Sequence, residues 1–284
     1  MTLLSIVACC LLIAGAAAAM SLTDPVRLSF NDVEDRATSG SILRDCEMEF
    51  AVWMQAQSTM GWRLVWANNF SGGWSTPEPI EPVEYPDYEP RVGGIPGGSM
   101  AAVWKRDVGT NAEIMYGHAG GSGPWTVEPV TTNATQDVSP DIADNGDGRT
   151  HVVWAGWDDV GGVARVFYGV REVGGGWTIE MLSDSRLGPF WTGAAPRISV
   201  NYQGVVHVVY RGGDFGEYHC HYARREAGEW SYEILTSPNV NDFSVDVKVI
   251  DGNSVYVAMS GNDGWAMPNR MYVRESHDGG TNFN

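Results

Sequence analysis

The sequence predicts an all-β propeller, built from repeated units of four short antiparallel strands arranged around a common axis. Three observations carry this. Trp53, Trp104, Trp154, Tyr210 and Met259 recur at steps of 51, 50, 56 and 49 residues. Trp66, Tyr116, Tyr168, Tyr222 and Tyr272 recur at steps of 50, 52, 54 and 50. Trp74, Trp125, Trp177, Trp230 and Phe283 recur at steps of 51, 52, 53 and 53. Three registers that hold one period describe a single supersecondary unit of about fifty residues, the size of a propeller blade.

The fourth unit shows the four strands most plainly. From the axis outward, strand A is Arg197–Val200, B is Val205–Tyr210, C is Tyr218–Ala223 and D is Trp230–Leu235. Strand B is apolar without alternation, as a strand buried on both faces between neighbouring sheets must be. The A–B connections are short and carry glycine where a hairpin demands positive φ: Pro96-Gly97-Gly98, Asn145-Gly146-Asp147-Gly148, Gln203-Gly204 and Asp251-Gly252. Asp144 to Gly148 has the composition of a calcium loop, but the place where a further acidic ligand would follow is His151, so it reads as a hairpin. Trp125, Trp177 and Trp230 open their D strands and are expected to be largely buried.

The ends of the chain complete the organisation. Residues 1–19 contain no charged side chain and pass from an apolar run into Ala16-Ala17-Ala18-Ala19, which reads as a secretory signal peptide. Residues 20–284 then form one propeller domain, and the protein is expected to be secreted. Cys9 and Cys10 leave with the signal. Cys46 and Cys220 fall in separate units, on elements not expected to touch, and read as buried thiols. The last unit reaches Asn284 where its D strand should begin, and Leu22–Ser29 resembles the ends of other D strands. The expectation is five blades closed by the N-terminal strand; the alternative is part of a six- or seven-bladed ring.

A net charge of −17 argues against nucleic acid and anionic membrane surfaces as partners. No motif calls for a cofactor: there is no phosphate loop, nucleophile elbow or basic patch. His151 and His207 share a register filled elsewhere by Phe50, Ala101 and Tyr256, which marks a core position. His219 and His221 lie on one face of strand C without a third ligand in view, so no metal site is predicted.

Ser276-His277-Asp278-Gly279-Gly280-Thr281-Asn282-Phe283 fits the pattern S-x-D-x-G-x-x-W/F. Here the chain resembles the Asp-box repeats of the sialidase-like propeller superfamily, whose box is a C–D hairpin: Ser and Asp oxygens cap backbone N–H groups and the aromatic anchors the turn. The other C–D turns keep the aromatic and lose the Ser and Asp. The resemblance implies a fold and a place to look, the channel end where D–A and B–C connections gather. The B–C connections offer Lys105, Asp107, Trp157, Asp158, Arg211, Asp214 and Trp265, and a D–A connection offers Trp191. Aromatic, acidic and amide groups on one rim suit a carbohydrate or other polar ligand; the plainer account is polar loops with tryptophan packed beneath.

Thirteen residues before each strand-B landmark stand Gly40, Arg91, Asp141, Arg197 and Asp246, a predicted ring on the innermost strands. One account makes Arg91, Asp141, Arg197 and Asp246 a chain of ion pairs that holds adjacent sheets in register. The other lets Arg91 and Arg197 present guanidinium forks to a carboxylate-bearing ligand, oriented by the two aspartates. A sialidase would need a third arginine, a Tyr–Glu nucleophile pair and an acidic donor, and no assured set is found. Binding of a ligand is therefore favoured over catalysis, and the protein is expected to be a monomer. The alternatives are a glycoside hydrolase or polysaccharide lyase, with carboxylates drawn from Asp107, Asp158, Asp159 or Asp214, and a protein-interaction platform.

Overall fold

The structure is a computed structural model. It describes residues 28–29, 32–43, 48–57, 61–82, 85–95, 99–120, 123–144, 148–158, 163–172, 174–182, 195–213, 218–236, 241–250, 252–262 and 270–284. The first sheet holds β1 (Asp35–Leu43), β2 (Met48–Gln57), β3 (Gly61–Asn68) and β4 (Glu78–Pro79). The second holds β5 (Asp87–Ile95), β6 (Ser99–Val108), β7 (Asn111–Gly120) and β8 (Thr126–Pro129). The third holds β9 (Asp137–Asp144), β10 (Thr150–Asp158), β11 (Val163–Arg171) and β12 (Trp177–Met181). The fourth holds β13 (Arg197–Val200), β14 (Val206–Gly212), β15 (His219–Glu226) and β16 (Glu229–Ile234), and the fifth β17 (Asn241–Val249), β18 (Val255–Asn262) and β19 (Arg270–Ser276). Within each sheet the strands pair in chain order, and every pair is antiparallel. No helix among the described residues is long and apolar enough to cross a membrane.

The unbroken apolar B strands follow from how the sheets stack. Phe50, Val52 and Met54 of β2 meet Met100, Ala102 and Trp104 of β6. The alternate residues Ala101 and Val103 turn the other way and meet Val152 and Trp154 of β10. The same exchange joins the third sheet to the fourth and the fourth to the fifth. A middle strand therefore has two cores to fill and no polar face to spare.

The second and third aromatic registers recur because they touch. Trp125 meets Trp66 edge-on at 5.7 Å between ring centres, and Trp177 meets Tyr116 at 5.3 Å. Trp230 meets Tyr168 at 5.3 Å and Phe283 meets Tyr222 at 4.8 Å. Each pair joins a sheet to the one before it, and edge-to-face geometry adds about 0.5–1.5 kcal/mol beyond the area buried. Trp125, Trp177 and Trp230 are nonetheless half-buried rather than largely buried. The outermost strand has solvent on one side, and two of these indoles turn their N–H there to a carboxylate. Trp177 Nε1 donates to Glu128 at 3.1 Å and Trp230 Nε1 to Glu180 at 2.9 Å. Arg171 and Arg225 close the same carboxylates at 2.7 and 3.0 Å.

The turn after β19 is a dense cap. Ser276 Oγ accepts the Gly280 N–H at 3.0 Å and donates to Asp278 Oδ1 at 2.7 Å. Asp278 Oδ1 also accepts the N–H groups of Thr281 and Asn282 at 3.1 and 2.9 Å. Asn282 Nδ2 donates to Asp278 Oδ2 at 2.7 Å, and this bonding holds the Asp278 carboxyl well below the usual range. The two core histidines follow their register. His151 and His207 are buried, and Nδ1 of each lies 2.6 Å from a tyrosine hydroxyl, Tyr168 and Tyr222 respectively.

The inner strands carry a repeated irregularity that the sequence pattern does not announce. Pairing slips between Arg36 and Ser39, and between Tyr88 and Arg91, and likewise in β9 opposite Val153 and Ala155. Ala37, Glu89, Ser139 and Ala195 adopt φ of 46°, 55°, 53° and 28°. None is glycine, and each stands two residues before Ser39, Arg91, Asp141 or Arg197. Left-handed backbone at such residues stores about 1–3 kcal/mol each. Ala37→Gly is accordingly expected to raise stability by about 1 kcal/mol in urea unfolding, where glycine inside an ordinary strand would lower it.

Cys220 is fully buried. Cys46, residues 1–27, Trp191, Asp214, Trp265 and the side chains of residues 144–147 lie outside the described residues, as does the side chain of Asp158.

Candidate ligand-binding site

Backbone register fixes which residues share a level on the inner strands. Arg91 pairs with Val103, Asp141 with Val153, Arg197 with Val209 and Asp246 with Ala258. In the first sheet the equivalent pair is Ser39 with Val52, so Ser39 rather than Gly40 holds the ring position. Counting back from Trp53 fails there because Ser39 and its partner Val52 stand 13 residues apart, against 12 for the equivalent pair of every other sheet. Ser39 also behaves like a ring member. Its Oγ accepts the Val92 N–H of the next inner strand at 3.3 Å, as Asp141 Oδ2 accepts the Ile198 N–H at 3.0 Å.

The four charges act on one another. Burial lowers the Arg91 guanidinium, Arg197 adds to that, and Asp141, Asp246 and Glu89 oppose it. Burial raises the Asp141 carboxyl, and Arg197 and Arg91 pull it back. Yet the ion pairs of the structural account are not formed: among the described residues no carboxylate lies within ion-pair distance of Arg91 or Arg197. Arg197 Nη1 donates to the Pro196 and Ala195 carbonyls at 3.0 and 3.4 Å. Asp246 Oδ1 accepts the Val247 N–H at 2.9 Å. The aspartates are thus engaged by backbone, and two half-buried guanidinium groups sit beside them with donors to spare.

Arg106 provides the contrast. It is buried, binds both Asp87 oxygens at 2.7 and 3.0 Å and reaches Glu81 as well. That arginine is a structural clamp, and its charge is held up by those two carboxylates against burial.

A second constellation escaped the sequence reading. Trp53, Trp104 and Trp154 each donate Nε1–H to an aspartate at the start of the inner strand, Asp35, Asp87 and Asp137, at 3.0 Å in every case. The signal was present, an Asp standing 18, 17 and 17 residues before a landmark Trp. In the third sheet Gly156 stands where Arg106 stands in the second. A Cβ on Gly156 would come within 2.3 Å of Asp137 Oδ1. Burial, with Glu113 adding, pushes Asp137 up to about 6 against hydrogen bonds from Asn133, Thr131 and Trp154. Glu113 is itself raised by burial and accepts from Thr131 Oγ1 at 2.6 Å. At 1% exposure Asp137 is packed structure rather than an open catalytic acid.

The remaining predicted residues lie on strands where loops were expected. Lys105 and Asp107 belong to β6, Trp157 and Asp158 to β10 and Arg211 to β14. The B strands run past their landmarks because the bulged inner strands stay paired with them, and in the second sheet only Gly109 and Thr110 separate β6 from β7. Lys105 Nζ pairs with Asp107 at 3.2 Å and lies 4.5 Å above the Tyr88 ring. Arg211 stacks 4.0 Å over Tyr218, and Trp157 is partly exposed. Among the described residues no three His, Cys, Asp or Glu side chains gather as a metal site would require.

No protein-family model matches the sequence, and no curated protein matches it. Solved structures do. A polysaccharide lyase of family PL25, an ulvan lyase bound to -[GlcA(1-4)Rha3S]-, aligns over 82% of this chain and 63% of its own at a TM-score of 0.58 and 9% identity. The Hadza microbial sialidase Hz136 aligns over 84% and 52%, with a TM-score of 0.56 and 12% identity. An α-L-arabinofuranosidase from Lactobacillus brevis aligns over 85% and 91%, with a TM-score of 0.51 and 10% identity. The chain has a propeller-like fold. It spans 57% and 63% of the length of the polysaccharide lyases Uly1 and PL25 ulvan lyase. TM-scores of 0.51 to 0.58 at identities this low show a shared architecture alone and leave chemistry to the site.

Proposed function

We propose that this chain is a secreted recognition module for acidic glycans, which it binds on its inner strands through Arg91 and Arg197. The observation that carries the reading is the pair of half-buried guanidinium groups at one level, beside Asp141 and Asp246 and in ion pairs with neither. A guanidinium fork matches a carboxylate or sulfate bidentately. The carbohydrate-active neighbours support a glycan as the class of ligand. A glycoside hydrolase or lyase on the same scaffold is the second reading, favoured by the activities those neighbours are named for.

Arg197→Ala and Arg91→Ala should melt within a few degrees of the parent and lose about 10- to 100-fold in retention on an acidic-glycan column, the worth of one charge-assisted contact. Folded variants that bind as the parent does would remove both residues from the site. Product release by the parent from the same glycans would favour the enzyme.

The ring is proposed to close through residues 22–29. Ile80, Val130, Leu182 and Leu235 each follow a fourth strand, or its counterpart, and enter the core at the junction with the next sheet. Leu28 packs in that manner against Ala51, Trp53, Val65 and Ala67 of the first sheet. Deleting residues 20–30 should lower the melting temperature by ten degrees or so, an effect of a few kcal/mol. Unchanged melting would refute closure by this segment.

A further inference from the structure

At the far end of the inner strands, where β13 turns into β14 and β17 into β18, lies a cavity of about 340 Å³. Val200, Val249, Ile250 and Tyr202 line it, and Asn201 and Lys248 are among its polar side chains. We infer that this cavity is a second saccharide site, which takes a uronic acid residue by stacking on Tyr202 and pairing its carboxylate with Lys248.

Tyr202 is 68% exposed, yet its ring is held. It lies over Gly252, where an added Cβ would come 2.5 Å from the ring, and Gly252 itself has φ of +84°. Asn201 Nδ2 fixes that turn by donating to the Gly252 carbonyl at 3.0 Å, and Asn201 Oδ1 accepts the N–H groups of Gln203 and Val205 at 3.0 and 2.8 Å. An exposed aromatic ring packed against a glycine is a platform whose ordering entropy is already spent on folding. A pyranose offers such a platform a flat C–H face. Ile250, 42% exposed, extends the apolar floor.

Lys248 selects the acid. The sequence has two lysines among 284 residues and a net charge of −17. The other, Lys105, is paired with Asp107. Lys248 is exposed and makes no ion pair among the described residues. An unpaired ammonium beside an aromatic platform on an acidic protein suits a carboxylate on a sugar ring. At about 340 Å³ the cavity is at the small end of the ~300–1,000 Å³ usual for small-molecule sites, room for a short saccharide. The site is separate from Arg91 and Arg197 and stands whether or not they bind.

Two lysines make the test direct. The full mature chain is reductively methylated with ¹³C, and the Lys248 signal is assigned by its loss in Lys248→Arg. Glucuronic acid, glucose and acetate are titrated in turn. Glucuronic acid should move the Lys248 signal saturably and leave Lys105 in place, about tenfold more tightly than glucose or acetate. Tyr202→Ala should abolish that preference, and Arg197→Ala should leave it intact. Acetate acting as well as glucuronic acid would show a bare ion pair and overturn the site. So would a preference that survives Tyr202→Ala, or a Lys248 signal that fails to saturate.

Discussion

Gly280→Ala is expected to lower stability by about 3 kcal/mol or more, the sum of left-handed strain and overpacking. Gly280 sits at φ +80°, and a Cβ there would lie 1.9 Å from the Tyr222 hydroxyl and 3.2 Å from His207 Nδ1. It would therefore strike the hydrogen bond that joins these two buried groups. Gly72 supplies the control. Its φ is +83°, nearly the same, but nothing lies within 4 Å of its Cβ position. Gly72→Ala should show the backbone penalty alone, about 1 kcal/mol. Urea titrations of the two variants separate conformation from packing. Equal losses would mean that the Tyr222 contact carries no weight. Tyr222→Phe in the Gly280→Ala background should recover part of the loss, since it removes the struck atom.

The second large effect is a dependence on pH. Burial lowers His207 from the ordinary 6.5 to about 3, and the Arg224 charge contributes. The unfolded chain takes up a proton below pH 6.5 that the folded chain refuses until about pH 3. Stability from this residue is full above 6.5 and drains as pH falls, by about 3 kcal/mol at pH 4. Asp137 works in the opposite sense. Its folded value of about 6 exceeds the ordinary 3.8, so its contribution is full below 3.8 and is lost as pH rises through 6. Difference measurements resolve the two. His207→Phe, which places at this register the residue the first sheet carries as Phe50, should gain about 3 kcal/mol on the parent between pH 7.5 and pH 4. Asp137→Asn should gain most above pH 6 and nothing below pH 4. A His207→Phe difference that stays flat across this range would mean that His207 titrates normally in the fold.

Much of this fold was legible because repetition multiplies a weak signal. One apolar run such as Val206–Tyr210 is ambiguous, but the same run at one period, flanked by the same aromatics, is a stacked sheet. The aromatics at Tyr116 and Trp177, or Tyr168 and Trp230, recur for a contact between neighbouring sheets, so period and packing are one fact. Histidines 151 and 207 were legible for the same reason, since a place filled elsewhere by Phe50 or Tyr256 is a core place.

The ring was read in part. Arg91, Asp141, Arg197 and Asp246 each pair with the residue before a landmark, while Ser39 takes that position in place of Gly40 because the paired residues of the first sheet stand 13 apart rather than 12. Strand ends were read less well. Lys105, Trp157 and Arg211 were assigned to loops, since charged and aromatic residues after an apolar run look like a loop when the pairing partner is unseen.

By itself the sequence determined the period, the order of the strands in each unit, the buried registers of the middle strands and four of the five residues at the ring level. These depend on local patterning, and burial on two faces leaves a strand few alternatives. Tertiary structure alone decided which charges are satisfied. Arg106 of β6 and Arg197 of β13 are the same residue type, yet one is clamped by Asp87 and Glu81 and the other, among the described residues, bonds only backbone carbonyls. Whether a guanidinium is structural or available depends on the few ångströms to the nearest carboxylate, and that distance is set by bulges and by neighbouring sheets rather than by spacing along the chain.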